Sequence, residues 1–197
     1  MEHYFSKSPK SGLYIKKINC VIMGLDFQFI TASGIFSKNK IDKGTLLLAE
    51  SMPVKKNDEV LDIGCGTGVL GIVAAKLFNA NVVFSDINQR AISLAKKNLK
   101  LNHIEGKMIE SDLYGKIGKK DFDSVLSNPP QHAGKEVCFM IIEGAFIHLK
   151  NGGSLQLVAR HNKGGKTLGR KMQEVFGNVK VISKESGYSV YLSVKNK

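Results

Sequence analysis

The sequence predicts an α/β fold: a doubly wound, mostly parallel seven-stranded sheet with one antiparallel strand, preceded by an N-terminal β-hairpin and a helix. From residue 59 onwards short apolar segments alternate with helical ones, and continuous apolar strands are typical of a parallel sheet buried on both faces. Only Glu185-Ser186-Gly187 joins the last two strands, which is too short for a crossover, so this pair is expected to be antiparallel. The chain has 197 residues, 43% of them hydrophobic, as expected for one domain of ordinary size.

Residues 1–56 are predicted to form an extension that packs on a core domain of residues 57–197. Two β-rich runs, LYIKKINCVIMG and LDFQFITA, are separated by the turn signal Gly24 and indicate a hairpin. The following run IDKGTLLLAESM has helical spacing and stops before Pro53. The extension is therefore expected to consist of a hairpin and one helix.

The core domain is predicted to contain four helices: VLGIVAAKLF, QRAISLAKKNLKLN, KEVCFMIIEGAFIHLK and a basic helix over 166–176. The second helix is amphipathic, with Ala91, Leu94, Ala95 and Leu99 on one face. The third is expected to end at a cap formed by Asn151-Gly152-Gly153. The predicted strands are EVLDIG, NVVFSD, KMIESD, FDSVLSN, SLQLVA, NVKVISK and YSVYLSVK.

The net charge of +12 is unevenly distributed. Residues 1–56 carry nine basic and four acidic side chains, residues 57–156 eleven of each, and residues 157–197 nine and two. An excess confined to the flanks indicates a surface for a polyanion such as RNA, although solvated lysines without a partner would give the same count. The candidate RNA contacts are Arg160, Lys163, Lys166 and Arg170, with Lys171 and the N-terminal Lys7, Lys10, Lys16 and Lys17.

The three cysteines, Cys20, Cys65 and Cys138, are odd in number and lack CxxC spacing. This argues against a disulfide framework or a zinc knuckle and fits reduced thiols in the cytoplasm. No apolar run approaches the roughly 18 residues that cross a bilayer, and the N-terminus is too polar for a signal peptide. We therefore expect a cytoplasmic protein that uses neither a metal nor a membrane.

A glycine-rich turn follows the first core strand, in DIGCGTGVLG (residues 62–71). The spacing Gly66-x-Gly68-x-x-Gly71, with Asp86 about 20 residues further on, matches the dinucleotide fingerprint of hydride-transfer enzymes. However, Asp62 precedes the first glycine, where a carboxylate would repel a pyrophosphate and attract an ammonium or sulfonium group. The additional Gly64 leaves room for a ligand without phosphates. Of the two interpretations, the sequence favours a cationic ligand.

The tetrapeptide Ser127-Asn128-Pro129-Pro130 follows the fourth strand, at the edge where doubly wound sheets bind ligands. Two consecutive prolines fix φ and remove two N–H donors, so nearby carbonyls and the Asn128 amide oxygen remain as acceptors. Two acceptors that grip an exocyclic NH2 would direct its lone pair at an electrophilic carbon, through positioning and electrostatics. A turn that merely terminates the strand is the alternative.

DIGCGTG, FSDIN and SNPP together resemble the motifs of class I methyltransferases, which have a Rossmann-like fold and use S-adenosylmethionine. The resemblance implies that Asp62 and the glycine loop hold the amino-acid end of this cofactor, Asp86 the ribose hydroxyls and Asp112 the adenine amine. The alternatives are a helix N-cap for Asp86 and ordinary turn chemistry for Asp112. The resemblance also implies that Asn128, Pro129 and Pro130 are catalytic. The implied cofactor-binding set is Asp62, Gly64, Cys65, Gly66, Thr67, Gly68, Asp86, Ile87, Asp112 and Asn128.

FITASGIFSKNKIDKGTLLLAE, SNPPQHAGKE and the C-terminal flank resemble the small-subunit ribosomal RNA guanine-N2 methyltransferase family, and its single-domain members in particular. This resemblance implies methylation of guanine N2, S-adenosylhomocysteine as product, and ribosomal RNA or the small subunit as partner. The sequence leaves the oligomeric state open, and we favour a monomer. Adenine N6, a protein glutamine amide, or a non-catalytic RNA-binding assembly factor are the alternatives. Phe36, Gln131 and His132 are the candidate substrate contacts. Gln131 stands where many relatives have an aromatic residue, so Phe36 or His132 is expected to supply the flat surface for the base.

Overall fold

The computed structural model describes residues 15–32, 40–130 and 134–196. An N-terminal hairpin and helix precede an alternating series of strands and helices, and an antiparallel strand pair ends it. The elements are β1 (Ile15–Ile22), β2 (Leu25–Ala32), α1 (Lys43–Ser51), β3 (Glu59–Ile63), α2 (Val69–Phe78), β4 (Asn81–Asp86), α3 (Gln89–Leu101), β5 (Lys107–Glu110), β6 (Phe122–Ser127), α4 (Lys135–His148), β7 (Leu149–Arg160), α5 (Lys166–Phe176), β8 (Lys180–Glu185) and β9 (Tyr188–Val194).

The main sheet has seven strands in the order β5-β4-β3-β6-β7-β9-β8. β3 pairs in parallel with β4 and β6, and β5 and β7 extend the parallel sheet on either side. β9 runs antiparallel to both of its neighbours, β7 and β8. The predicted fold class, with one antiparallel strand, is thus confirmed. The strand order reverses between β3 and β6, and the carboxyl edge at such a reversal is where open α/β sheets bind ligands.

Two hydrophobic layers cover the sheet. α1, α2 and the inner face of the β1–β2 hairpin pack on one side, with Phe29, Leu48 and Ile72 completely or almost completely buried. α4 and α5 pack on the other side, where Ile142 and Met172 lie against the strands. The predicted apolar face of α3 is buried as expected, at Ala91, Leu94, Ala95 and Leu99.

The predicted end of the third core helix is wrong. α4 ends at His148, and Leu149 already pairs with Phe122 as the first residue of β7. Asn151-Gly152-Gly153 lies within β7, where the register with β6 shifts and Gly152 has φ 79°. Gly152 and Gly153 instead exchange backbone hydrogen bonds with Lys195 at the end of β9. A glycine at positive φ can mark a strand irregularity as well as a helix end, and the sequence does not distinguish the two.

Two asparagines of α3 fasten the hairpin to the core. Asn98 accepts from the backbone N–H of Ile30 (2.6 Å) and donates to its carbonyl (3.0 Å). Asn102 makes the same pair of bonds to Gln28, at 3.1 and 2.7 Å. Spaced four residues apart, the two amides imitate a neighbouring strand along the outer edge of β2. They hold the hairpin over the carboxyl edge of the sheet, so that it walls the site described next.

Candidate active site

A cavity of about 590 Å³ opens at the carboxyl edge of the sheet, where the strand order reverses. The ends of β3, β4, β5 and β6 form its floor, and the hairpin, the start of α1 and one face of α4 form its walls. This volume falls in the range of about 300–1,000 Å³ that is common for small-molecule sites. The predicted ligand edge and the observed cavity therefore coincide.

The glycine loop between β3 and α2 passes along the cavity. Gly64, Gly66 and Gly68 have φ of 67°, 56° and 84°, values that side chains with a Cβ adopt only at a cost. The loop is closed by hydrogen bonds from Cys65 N to Ser85 O (3.0 Å) and from Gly68 N to Cys65 O (2.8 Å). Gly64, Cys65, Gly66 and Thr67 line the cavity, whereas Gly68 is the buried N-cap of α2 and does not.

Gly71, the third glycine of the dinucleotide-like spacing, has a packing role. A Cβ built at this position would lie 2.2 Å from Cε1 of Phe84 on β4, so only glycine lets α2 approach the sheet this closely. Its backbone N–H donates to Oδ2 of Asp62 at 2.9 Å. The third glycine of the spacing therefore serves helix–sheet packing, a role it also has in dinucleotide-binding folds, so Gly71 does not separate the two interpretations of the loop.

Asp62 is the most deeply buried carboxylate of the site, with 1% of its surface exposed. Burial raises its pKa to about 7, the charge of Asp86 adds to this, and the Gly71 N–H opposes it. Oδ2 accepts the Gly71 hydrogen bond, and Oδ1 has no hydrogen-bond partner within the described part of the chain. A carboxylate with this environment favours a cationic group as its ligand, because a cation offsets the cost of burying the negative charge.

Asp86 ties the glycine loop to the end of β4. Its Oδ2 accepts from the N–H of Gly66 (2.8 Å) and its Oδ1 from the N–H of Asn88 (2.9 Å). The N-cap of α3 is Asn88, whose side chain accepts from the next two residues of the helix. Asp86 is thus not that cap. Asp86 lines the cavity and is 3% exposed.

The remaining predicted cofactor residues also reach the cavity. Ile87 lines it half-buried beyond the end of β4, and Asp112 lines it exposed in the loop after β5. Cys65 is buried, and burial raises the pKa of its thiol well above the usual value, with Asp86 and Asp62 adding to the shift. It therefore remains a neutral thiol that packs within the turn.

Asn128 stands at the end of β6 and faces the cavity. Its amide Nδ2 donates to Oδ2 of Asp42 (3.1 Å) and to Oγ1 of Thr45 (2.8 Å). Because an ionised carboxylate can only accept, the nitrogen must point toward Asp42, and both amide hydrogens are used. The side-chain oxygen is the part of the amide that remains for a ligand. Asn128 therefore presents a fixed hydrogen-bond acceptor.

The two prolines differ in their position. Pro130 lines the cavity, whereas Pro129 is buried and does not. Both lack an N–H, so this stretch of backbone offers carbonyls to the site and no donor of its own.

The predicted RNA contacts lie outside the cavity. Arg160 is exposed at the carboxyl end of β7, Lys163 follows in the single turn His161–Gly165, and Lys166 and Arg170 are exposed on α5. β7 runs parallel to β6, with Leu157 opposite Ser127, so Arg160 lies at the same edge of the sheet as Asn128.

Lys171 does not fit the expected role of an RNA contact. Its side chain is 13% exposed and pairs with Glu143 (2.8 Å) and Glu174 (3.0 Å), which joins α5 to α4. Lys16 and Lys17 are exposed on β1. Phe36, Gln131 and His132, the predicted base contacts, lie outside the described residues, as do Lys7 and Lys10.

Several residues that line the cavity were not predicted. Ile18, Phe29 and Thr31 come from the hairpin, and Val137, Met140 and Ile141 from α4. The most informative omission is Asp42 with Thr45. Asp42 is the N-cap of α1, accepting from the N–H of Thr45 at 3.1 Å, and Asp-x-x-Thr before an apolar run is a recognisable helix start. No sequence signal links this cap to Asn128, 86 residues further on.

Within residues 15–32, 40–130 and 134–196, no cluster of His, Cys, Asp and Glu side chains could hold a metal ion. Helices in the same ranges are all too short or too polar to cross a membrane.

The chain is similar to several known proteins along most of its length. It is 34% identical to the uncharacterized protein YbxB of Bacillus subtilis, over 98% of both chains. It is 35% identical to ribosomal RNA small subunit methyltransferase C of Haemophilus influenzae, over 87% of this chain and 52% of that one. The chain thus spans about half the length of the methyltransferase C relatives it matches.

The fold is that of a solved ribosomal RNA methyltransferase. The Thermus thermophilus 16S rRNA N2 G1207 methyltransferase (RsmC), in complex with AdoMet and guanosine, superposes with a TM-score of 0.82 at 25% identity. The match covers 96% of this chain and 52% of that one. The family model of the methyltransferase small domain matches residues 26–192, including the glycine loop, Asp86 and the Asn128 tetrapeptide. The chain therefore belongs to the methyltransferase small domain family.

Proposed function

We propose that the protein transfers a methyl group from S-adenosylmethionine to the exocyclic N2 amine of a guanine in ribosomal RNA of the small subunit. One observation carries the proposal: Asp42 and Thr45 bind both amide hydrogens of Asn128, so that its oxygen is left to face a donor in the cavity. An NH2 group is such a donor. S-adenosylmethionine supplies the electrophilic methyl group, on a sulfonium sulfur.

The residues on the cavity floor fit this cofactor. Asp62 offers a buried carboxylate whose Oδ1 lacks a partner in the described chain, which suits the ammonium of the amino-acid end. Asp86 lines the cavity next along the edge, where we place the ribose hydroxyls, and Asp112 lines it beyond β5, where we place the adenine amine. Ile87 and Leu113 offer apolar surface to an adenine ring. The order of these residues follows β3, β4 and β5, as an extended ligand across the strand ends requires.

The acceptor end of the cavity fits an amine attached to a flat ring. The lone pair of such an amine is delocalised into the ring, so the nitrogen needs orientation more than it needs a strong base. The Asn128 oxygen and the backbone carbonyls of the proline stretch accept hydrogen bonds from the amine and hold it in place. This favours adenine N6, guanine N2 or an amide nitrogen over a hydroxyl acceptor.

Charge and relatives favour RNA guanine among these. The net charge of +12 suits a polyanion and is unnecessary for a protein substrate. Arg160, Lys163 and Lys166 lie at the edge that carries Asn128. The methyltransferase C relatives are named for the small-subunit ribosomal RNA, and the Thermus thermophilus structure is that of an N2 G1207 enzyme in complex with guanosine. The basic residues of the flanks are proposed to hold the RNA. A ribosomal substrate would place the reaction in the cytoplasm.

The test is to incubate the protein with S-adenosylmethionine labelled in the methyl group and with fractionated cellular RNA, free or in small subunits. Digestion to nucleosides should place the label in N2-methylguanosine of small-subunit RNA. Asn128→Ala is the control: it should lose methyl transfer by orders of magnitude, far more than any loss of cofactor affinity, because its oxygen is proposed to hold the acceptor amine. Label in N6-methyladenosine or in protein would refute the assignment of guanine as the acceptor. If no fraction received label, the proposal that the protein catalyses this methyl transfer would be refuted.

A further inference from the structure

A hydrogen-bonded chain leads from the surface to Asn128. Arg160 Nε donates to the Tyr188 hydroxyl (3.1 Å), and this hydroxyl donates to Oδ1 of Asp42 (3.1 Å). Oδ2 of the same carboxylate accepts from Asn128 and from the N–H of Thr45. The chain joins the end of β7, the start of β9, the first turn of α1 and the end of β6. Residues distant in sequence thus converge on one amide.

The donors and acceptors in this chain permit one arrangement. The guanidinium can only donate, so the Tyr188 oxygen accepts from it and must direct its own hydrogen at Asp42. Both Asp42 oxygens are then occupied, and the carboxylate plane is fixed. A fixed carboxylate fixes the Asn128 nitrogen, and therefore the side of the amide that faces the cavity. If the side-chain amide of Asn128 were flipped, its NH2 group would face the NH2 group of the substrate. Two hydrogen-bond donors would then face each other and no bond could form.

The Tyr188 ring also packs against the first turn of α1, next to Asp42. Tyr188 is 8% exposed, and a Cβ added at Gly44 would lie 2.7 Å from its Cδ1. The Arg160 guanidinium lies over the ring, with Cζ 5.1 Å from its centroid. The buried ring is thus in close contact with the first turn of α1 and with Arg160, which restricts the rotation of its hydroxyl away from Asp42.

We propose that Asp42 and Tyr188 are positioning residues for methyl transfer, with Arg160 as the outer end of the same chain. The inference rests on the proposed function, because its consequence is the orientation of the acceptor amine. It also changes the expected role of Arg160. This side chain acts on Asn128 through Tyr188 and Asp42, and direct contacts to RNA phosphates are assigned to the basic residues that follow it.

The first test compares two tyrosines of β9. Tyr188→Phe removes the hydroxyl and keeps the ring, so we expect kcat to fall about tenfold with KM for RNA and the cofactor Kd unchanged. Tyr191→Phe is the matched control, because its hydroxyl bonds to His161 Nδ1 (2.8 Å) and has no link to Asn128. Equal rates for the two variants at saturating RNA would overturn the proposal.

A second set of variants separates position from packing. Thr45→Ser keeps the acceptor of the Asn128 amide and should retain most of kcat, whereas Thr45→Val should lose about as much as Tyr188→Phe. Arg160→Gln should lower kcat while leaving KM for RNA and its salt dependence close to wild type. If Arg160→Gln instead raised KM and reduced the salt slope at constant kcat, Arg160 would be an RNA contact and its place in the chain would be wrong.

A spectroscopic measurement makes the outcome independent of methyl transfer. In the free protein, the side-chain amide hydrogens of Asn128 should exchange slowly with water, since both are hydrogen-bonded, and Tyr188→Phe should accelerate this exchange. Tyr191→Phe should not. The wild-type protein could methylate no RNA and still show slow exchange at Asn128 that Tyr188→Phe accelerates. The proposed function would then be wrong, and the hydrogen-bonded chain to Asn128 would be confirmed. If wild type methylates RNA and Tyr188→Phe changes neither exchange nor kcat, the positioning role fails alone.

Discussion

Asp62 accepts a hydrogen bond from the backbone N–H of Gly71, and this bond joins the end of β3 to the first turn of α2 beneath the glycine loop. The N–H groups of a first helical turn have no partner within the helix, and a carboxylate placed there satisfies one of them. The bond does not compensate for burial, since the pKa of Asp62 is raised to about 7. Two predictions depend on this position.

The first concerns the pH dependence of cofactor affinity. The proposed contact with the ammonium of S-adenosylmethionine needs the ionised form of Asp62, and a pKa of about 7 leaves this carboxyl half protonated near pH 7 in the free protein. The cofactor Kd should therefore rise as pH falls below 7, by up to about tenfold per pH unit. Calorimetry at pH 6 in two buffers of different ionisation enthalpy should show the release of nearly one proton on binding. A cofactor Kd that stays constant from pH 5.5 to 8 would show that the ammonium does not bind to Asp62.

The second concerns stability without ligand. The folded-state pKa of Asp62 exceeds the unfolded value of 3.8, so its contribution to stability is fully present below pH 4 and is lost as pH rises through about 7. Asp62→Asn should therefore raise the free energy of unfolding at pH 8, by on the order of 1–3 kcal/mol, and by little at pH 4. The same variant should bind the cofactor poorly. Thermal melts at both pH values measure the difference.

Asp26→Asn is the control for this stability measurement, because Asp26 is an exposed carboxylate on the hairpin. It should change the melting temperature little at either pH. If Asp62→Asn were less stable than wild type at pH 8, burial of the charge would not be the dominant influence on Asp62.

A third prediction concerns the asparagine pair that holds the hairpin. Asn102→Ala removes both hydrogen bonds to Gln28 and should accelerate backbone amide exchange in β1 and β2, while β3 and β4 remain protected. Asn98→Ala should do the same and also weaken cofactor binding, because Asn98 donates in addition to the carbonyl of Thr67 in the glycine loop (2.9 Å). Exchange measured by mass spectrometry distinguishes the segments.

Asn81→Ala provides the comparison for these two variants. Asn81 is exposed at the amino-terminal edge of the sheet, and its side chain donates to Glu59 and to no other residue in the described part of the chain. Backbone amide exchange in β1 and β2 of the Asn81→Ala variant should equal that of the wild-type protein. Unchanged exchange at Gln28 and Ile30 in Asn102→Ala would mean that apolar packing alone holds the hairpin.

The sequence predicted the parts of the fold that local pattern encodes. Alternating strands and helices, the short turn before β9 and the apolar face of α3 all follow from spacing, and each is confirmed. The glycines were an ambiguous signal for element ends, since Gly152 lies at an irregularity within β7 and not at the end of α4. Local pattern cannot tell these apart, because both use the same positive φ.

The site was predictable where the motif and the cavity coincide, and not where distant elements meet. Asp62, Asp86, Asn128 and the glycine loop were found from spacing, and all of them line the cavity except Gly68 of the loop. Asp42 and Tyr188 were missed, because their roles arise only when α1 and β9 pack side by side at the end of β6. Helix caps and strand tyrosines are common, and their partners are set by tertiary packing.

The last prediction separates RNA contacts from structural lysines on α5. Lys166 and Arg170 are exposed, whereas the neighbouring Lys171 is bound to Glu143 and Glu174. The double variant Lys166→Gln/Arg170→Gln should raise KM for RNA several-fold, with kcat retained. It should also reduce the slope of log affinity against log salt by about 1.5, since each phosphate contact contributes about 0.7–0.9.

Lys171→Gln is the matched control on the same helix. It should lower the melting temperature slightly, because an ion pair between α4 and α5 is lost, and leave the salt slope unchanged. Filter binding over 50–300 mM salt measures both variants. A double variant with the wild-type slope would show that RNA does not lie along α5. The excess charge of the C-terminal flank would then have to act through Lys163 or through the β8 lysines Lys180 and Lys184, which are exposed on the edge strand of the sheet.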